Sequence, residues 1–336
     1  MSASTTIVIT TIHEPSEAVR AFASLPGHRL VVVGDRKSPA GWACPGADYL
    51  SVEDQLRLHG PVARLLPFNH YGRKMIGYLH AIAGGADVIV DTDDDNLPKP
   101  GWSFPDFDGT YDVIDAGPGF LNVYALFTDQ HIWPRGLPLD RILHGDHVAA
   151  TAPAACRVGV WQGLADEDPD VDAIYRLVIG KACIFRERAP VVLAKGTLCP
   201  WNSQNTAVRR ELFPLLYLPV TVTFRFTDIL RSLVAQPIMA AAGYGLGFLG
   251  ATVVQKRNPH DPMADFESEV PMYRHTRTAI ERTEATIVTG RSVSENLLAA
   301  YESLAAAGIV ERAELETLRA WLEGLRQAMG PPQRIG

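Results

Sequence analysis

Cysteine is scarce in this chain, four residues in 336, and no two of them stand in a CxxC pair. Cys44, Cys156, Cys183 and Cys199 are too scattered for a zinc site or a disulfide framework, and each reads as a small buried residue. No apolar run reaches the ~18 uncharged residues of a membrane span. The N-terminus has no basic stretch followed by the apolar core of a secretory signal, so a cytoplasmic location is expected. Basic residues, 31 against 38 acidic ones for a net charge of -7, form no long block. That argues against a general nucleic-acid binder. Internal repeats are absent, and the one biased segment is a Pro-containing tail.

What is present is the composition of a globular enzyme, 47% hydrophobic with mean hydropathy near zero. The length suits one large domain, or one domain with a helical appendage. Thr6 to Thr11 reads as a buried strand, Ser16 as the cap of a helix to about Leu25, and Arg29 to Val33 as a second strand. A helix fits about Tyr71 to Ala83, with Met75, Ile76, Leu79 and Ile82 on one face and Gly84-Gly85 closing it. Alternating strands and helices predict an α/β fold with a mostly parallel nucleotide-binding sheet flanked by helices. Between Leu97 and Pro138, Gly, Pro and aromatics imply loops with short strands such as Tyr111 to Ile114. A helix is expected from Thr227 to about Ala242, a strand over Ala251 to Gln255, and amphipathic helices from Pro271 onward. The division expected is a body of residues 1–270 and a C-terminal helical extension, 271–336, packing on it.

One segment carries most of the chemistry. Val88-Ile89-Val90-Asp91-Thr92-Asp93-Asp94-Asp95-Asn96 is a β-branched strand ending in three consecutive carboxylates. Like charges so close repel, and a strand end keeps them when a cation offsets the cost. Mg²⁺ or Mn²⁺ suits oxygen ligands and also grips phosphate oxygens, and ligands of open α/β sheets sit at the carboxyl ends of the strands. The pattern points to a metal-bridged diphosphate, as in a nucleotide-sugar-dependent transferase with a DXD motif. A solvated acidic turn is the plain alternative.

Gly77-Tyr78-Leu79, the acidic segment, Ile132-Trp133-Pro134-Arg135-Gly136, Pro169-Asp170-Val171-Asp172-Ala173, Asn202-Ser203-Gln204-Asn205-Thr206, Leu216-Tyr217-Leu218-Pro219 and Phe224 to Ile229 resemble the STELLO glycosyltransferase family. The matches are collinear from about Thr10 to Tyr273. The resemblance implies a GT-A-like fold with the triplet as the metal and nucleotide-sugar site. The plant members are Golgi membrane proteins, a location not expected for this chain. A weaker similarity runs to the reversibly glycosylated polypeptides, UDP-arabinopyranose mutases, through the triplet, Arg135-Gly136-Leu137-Pro138 and Pro169 to Ala173. Leu137 departs from the aromatic of their pattern. In those proteins the Arg of this segment is the glycosylated one, which corresponds to Arg135.

Roles follow by position. Asp93 and Asp95, alternate residues at a strand end, are expected to face one side and carry the metal, with Asp94 pointing elsewhere and Asp91 structural. Thr11, His13 and Glu14, then Asp35 and Arg36, follow the first two strands where a base and ribose would rest. Arg73 and Lys74 stand ready to neutralise diphosphate, and Asn205 and Arg135 join the donor site through the motifs they belong to. His260, in the Arg257-Asn258-Pro259-His260 segment, is a candidate third metal ligand or an ordinary solvated histidine. Asp228 is the candidate base for an acceptor hydroxyl, or a helix cap. Asp166, Glu167, Asp168, Asp170 and Asp172 are alternatives, with Asp170 and Asp172 the foremost. The function expected is metal-dependent transfer from a nucleotide-diphosphate sugar, a UDP-sugar favoured, to an unknown acceptor such as a small molecule or glycan. A nucleotide-sugar mutase or self-glycosylating protein and a non-catalytic nucleotide-sugar binder are the alternatives.

Overall fold

The structure, a computed structural model, describes residues 4–143, 150–258 and 260–330. The chain opens β1 (Thr5–Thr10), α1 (Glu17–Ala23), β2 (His28–Val33), β3 (Ala47–Leu50), α2 (Val52–Leu58), α3 (Gly60–Leu65), α4 (Lys74–Ala83) and β4 (Val88–Thr92). Here the expected βαβ alternation holds. β3, β2, β1 and β4 lie side by side and parallel, with Thr5 opposite both His28 and Val88. The strands are apolar on both sides because both sides are covered. Val8 and Val31 pack toward Met75, Ile76 and Leu79 of α4. Ile7, Ile9 and Val32 pack toward Val19 and Phe22 of α1. Gly77 lets α4 approach the sheet, since a Cβ there would stand 2.5 Å from Val8 Cγ1 and 2.7 Å from Val33 Cγ2.

The rest of the sheet departs from expectation. It is built from β5 (Asn96–Pro98), β6 (Asp108–Asp115), β8 (Ala150–Asp166), β9 (Val191–Leu193), β11 (Asn205–Arg209) and β12 (Gly245–Gln255), while β7 (Gly119–Phe120) and β10 (Thr197–Leu198) pair separately. β11 enters antiparallel between β4 and β8, and β6–β8, β9–β12 and β5–β12 are antiparallel too. The ten-stranded sheet is therefore mixed rather than mostly parallel. The antiparallel pairings join partners 35 to 159 residues apart in sequence, which no local period encodes.

Among the helices, α5 (Ala173–Val178) is short, α6 (Thr227–Ala241) is almost wholly buried, and α7 (Pro262–Glu284), α8 (Val293–Ala306) and α9 (Glu314–Met329) follow. α7 runs unbroken across positions 270 and 271. α9 docks through Trp321 and Leu325, and its first-turn Glu314 accepts from the Val220 and Thr221 amides and the Thr221 hydroxyl. The last six residues of the expected extension, 331–336, and the Pro-containing tail lie outside the described residues. Among the described residues no helix is long and apolar enough to cross a membrane, and Cys44, Cys183 and Cys199 are buried as expected, Cys156 being partly exposed instead.

Candidate functional site

A cleft of about 310 Å³ opens at the carboxyl ends of β1, β2 and β4, the place where open α/β sheets take ligands. β4 ends at Thr92, so Asp93, Asp94 and Asp95 occupy a turn into β5 rather than alternate strand positions. All three line the cleft, Asp94 included. Asp94 accepts from the Thr11 hydroxyl, and its carbonyl accepts from Ser16 Oγ, the same side chain that caps α1 by accepting from Val19 N. The turn is thus tied to the loop after β1.

Beneath it lies an ionic layer in which Lys74, Asp91 and Arg231 are buried and Asp93 is partly exposed. Lys74 Nζ stands 2.7 Å from Asp91 Oδ1 and 2.8 Å from Asp93 Oδ1, and Arg231 Nη1 donates to Asp91 Oδ2 at 2.8 Å. Burial would raise the Asp91 carboxyl, yet the charges of Lys74 and Arg231 outweigh it and hold it below its ordinary value. Asp91 is structural, as expected. Asp93 is pushed up to about 6 by burial, which Lys74 offsets only in part against the repulsion of Asp91 and Asp94. Asp95 is pushed up to about 7 by burial and then by Asp93 and Asp94. Gln255 Nε2 donates to its Oδ2 at 2.8 Å, but Oδ1 is buried with no partner.

The opposite wall is organised by Arg135. Gly136 beside it has φ +91°, and a Cβ there would come within 2.5 Å of Ile229 Cγ2, so the Arg-Gly pair is a backbone requirement. The five N–H groups of Arg135 are all spent. Nε and Nη2 fork onto Asp170 at 2.8 Å each, Nη1 and Nη2 reach Asp228 at 3.0 and 2.9 Å, and Nη1 also donates to the Arg225 carbonyl. Asp228 receives two further bonds, from Ser203 N and Ile229 N. It does not cap α6, whose N-cap Phe226 accepts no side-chain bond; Asp228 sits one residue inside the helix and points at Arg135 instead. Among the described residues, Asp170 receives only the two Arg135 bonds on its carboxylate. Burial pushes it up, the charge and hydrogen bonds of Arg135 push it down further, and it ends below its ordinary value.

Several expected positions are not brought into the cleft. Asp172 caps α5 by accepting from Tyr175 N and takes the Trp133 indole N–H at 2.8 Å, and it does not line the cleft. Asn205 bridges Trp102 Nε1 and Thr252 Oγ1 inside the sheet. Lys74 is sealed beneath the turn. Glu14 is exposed outside the lining, and Arg36 lies over the Phe68 ring at 3.6 Å. Thr11, His13, Asp35 and Arg73 do line it, but Arg73 is buried, with its guanidinium on Gln55 Oε1 and the Ala63 and Leu66 carbonyls. His260 lines the cleft with Nδ1 3.5 Å from Asp265. Among the described residues no group of three or more His, Cys, Asp or Glu side chains converges as a ready-made metal site.

Other lining residues escaped sequence reasoning: Lys37, Asn69, His70, Tyr71, Asn202, Gln204, Phe224, Arg225, Gln255 and Arg257. Asn202, Gln204, Phe224 and Arg225 lie in segments that carried the family resemblance, and that signal alone pointed to them.

Comparison with known proteins bears on this cleft. The probable glycosyltransferases STELLO2 and STELLO1 of Arabidopsis thaliana are 29% identical to the chain over 257 and 258 residues, 70% of its length. The chain is a distant homologue of the STELLO proteins. It spans about a third of their length, 34% and 33%. No protein-family model matches. Among solved structures, glucosyl-3-phosphoglycerate synthase from Mycobacterium tuberculosis, in complex with Mn²⁺ and UDP-glucose, aligns over 86% of this chain and 81% of that one, with TM-score 0.38 and 14% identity. A mycobacterial protein aligns over 86% and 77%, with TM-score 0.40 and 14% identity.

Proposed function

We propose that the protein is a GT-A type glycosyltransferase that binds a nucleotide-diphosphate sugar, a UDP-sugar in the first instance, with Mn²⁺ or Mg²⁺ and passes the sugar to an acceptor hydroxyl. One observation carries the reading: Asp95 presents a buried, unpartnered carboxylate oxygen within a turn of three carboxylates at the carboxyl ends of parallel strands. A lone acceptor of that kind is costly unless something fills it. The raised Asp93 and Asp95 carboxyls mark missing positive charge at the same place. The distant STELLO homology supports the same class of chemistry.

The donor set suits a hard divalent ion. Asp95 would hold it, with Asp93 beside it, and donor phosphate oxygens and water would complete the shell. When bound, such an ion would supply electrostatic stabilisation of the diphosphate leaving group. Thr11, His13 and Asp35 would receive the nucleoside. For the proton of the acceptor hydroxyl, Asp170 is better suited than Asp228, because Asp228 already accepts four hydrogen bonds whereas each Asp170 oxygen accepts one among the described residues. Arg135 then acts as a positioning residue that holds Asp170 ionised and fixed. This also argues against covalent glycosylation of Arg135, whose nitrogens are consumed in buried ion pairs.

The test is a thermal-shift and calorimetric panel of UDP-, GDP- and dTDP-sugars with Mn²⁺, run on the parent and on Asp95→Asn. A cognate donor present at ~100 times its Kd stabilises the folded state by about 2.7 kcal/mol, so one nucleotide should stand out. Asp95→Asn is expected to lose metal-dependent donor binding by more than the ~10–100-fold typical of outer-shell changes while melting no lower than the parent. A variant that binds donor with Mn²⁺ as the parent does would sink the assignment. Tight binding with neither transfer nor hydrolysis would point to a non-catalytic binder.

A further inference from the structure

The cleft arginines differ in what they have left to give. Arg135 spends all five N–H groups on Asp170, Asp228 and a carbonyl, and Arg73 donates through Nε and both Nη atoms to internal acceptors. Among the described residues, Arg257 makes a single hydrogen bond, Nη2 to Asp265 Oδ2 at 3.3 Å. Its Nε is buried and has no acceptor among the described residues, Asp168 Oδ2 being 3.9 Å away. Yet the side chain is only 13% exposed, so bulk water does not stand in for the missing acceptors as it does for a surface arginine. Its carboxylate neighbour is also shared. Asp265 faces Arg257, Arg225 at 3.9 Å and His260 at 3.5 Å. Arg225 itself uses Nε and Nη2 on Glu269 and the Val171 carbonyl, which leaves Nη1 without an acceptor among the described residues. Burial, followed by the repulsion of Arg176 and Arg225, holds Arg257 down to about 10.

From this we infer that Arg257, backed by Arg225, forms an oxyanion-binding subsite of the cleft, receiving a phosphate or carboxylate group of a bound substrate. A planar guanidinium with free donors on adjacent nitrogens matches the paired oxygens of such a group. The place is defined by β12. Gln255 at its end holds Asp95, and the next residue, Lys256, donates its amide to the Asp95 carbonyl. The subsite therefore adjoins the acidic turn on the side walled by α5 and α7. In a sugar transfer, the reading on which this inference rests, two molecules bring such a group: the donor through its diphosphate, or an acceptor that is itself a phosphate ester or carboxylic acid.

Titration with inorganic phosphate at constant ionic strength, followed by calorimetry on the full chain, tests the subsite directly. The parent is expected to bind phosphate, Arg257→Gln at least tenfold more weakly, and Arg257→Lys in between, because lysine keeps the charge and loses the fork. Unchanged affinity in Arg257→Gln overturns the inference, as does a parent that binds no phosphate at millimolar concentration. If Arg257→Gln does not fold, Arg257→Lys decides, and parental affinity in that variant overturns it. Repeating the titration with UDP and Mg²⁺ present assigns the source: competition places the donor's diphosphate on Arg257, and additive binding places an acidic acceptor there. Failure of UDP to bind at all counts against the glycosyltransferase reading and leaves the phosphate comparison of parent and variant standing.

Discussion

Asp91 and Asp95 lie four residues apart, on the last turn of strand and the first turn of loop, and chemistry separates them completely. Asp91 is buried between Lys74 and Arg231, both oxygens facing a cation, and its carboxyl is held low. Asp95 is half-buried beside two like charges, has one amide donor and one buried oxygen without a partner among the described residues, and its carboxyl is pushed up to about 7. A charge that the fold itself compensates is part of the scaffold. One that it leaves uncompensated, in the cleft, is where the proposed ion would sit. The same contrast separates Arg135 from Arg257 across the cleft.

The sharpest way to break this comparison is to remove the compensated charge. Asp91→Asn leaves Lys74 and Arg231 buried against a neutral amide, and losing one partner of a buried pair costs about 3–5 kcal/mol. Denaturant unfolding of Asp91→Asn should show that loss, while Asp95→Asn should not, since it relieves repulsion. Equal destabilisation of the two would mean that the turn carboxylates are scaffold as well.

Next in size is catalysis on the opposite wall. Asp170→Asn is expected to lower turnover by ~10²–10⁴-fold with donor affinity little changed. Asp228→Asn should show a smaller loss, because it acts through Arg135. Steady-state rates and donor titrations on the two variants decide the order, and a near-normal rate for Asp170→Asn would return the base to Asp228.

The compensated half of this comparison was the less legible one in the sequence. β1, α1, β2, α4 and β4 carry their own signals: β-branched runs, a serine cap and an apolar helix face. The acidic turn could be read because its three charges are adjacent. What pairs with what could not be, because Arg135 meets Asp170 and Asp228 across 35 and 93 residues of sequence. The mixed sheet escaped for the same reason. β11 lies against β4 through Asn205 opposite Thr92, and in the outer half of β8 the run Thr-Ala-Pro-Ala-Ala, 151–155, is exposed and has no strand alternation to find. Asp228 reads from sequence as a candidate base or, because Thr-Asp at a helix start is a capping arrangement, as a helix cap. Its nearest partner turned out to be an arginine from another segment.

Asp172 sharpens the comparison from the other side, because it is a buried, uncompensated carboxylate that does structural work. Burial pushes it up to about 6, offset in part by the Tyr175 amide and the Trp133 indole that it accepts from. A carboxyl whose folded value lies above its unfolded value of ~3.9 stabilises the folded state fully below about pH 4. That contribution is lost as the pH rises through about 6. The shift corresponds to at most about 3 kcal/mol. Asn at this position still caps the helix and still accepts the indole, but does not titrate. Asp172→Asn should therefore flatten the fall in stability between pH 4 and 6, measured by denaturant unfolding at a series of pH values, and leave metal-dependent donor binding as in the parent. If the slope survives the substitution, another buried carboxyl is responsible, and Asp93 and Asp95, pushed up to about 6 and 7, are the ones left to carry it. In that case adding Mn²⁺ should itself change the slope, because an ion on those oxygens displaces the proton.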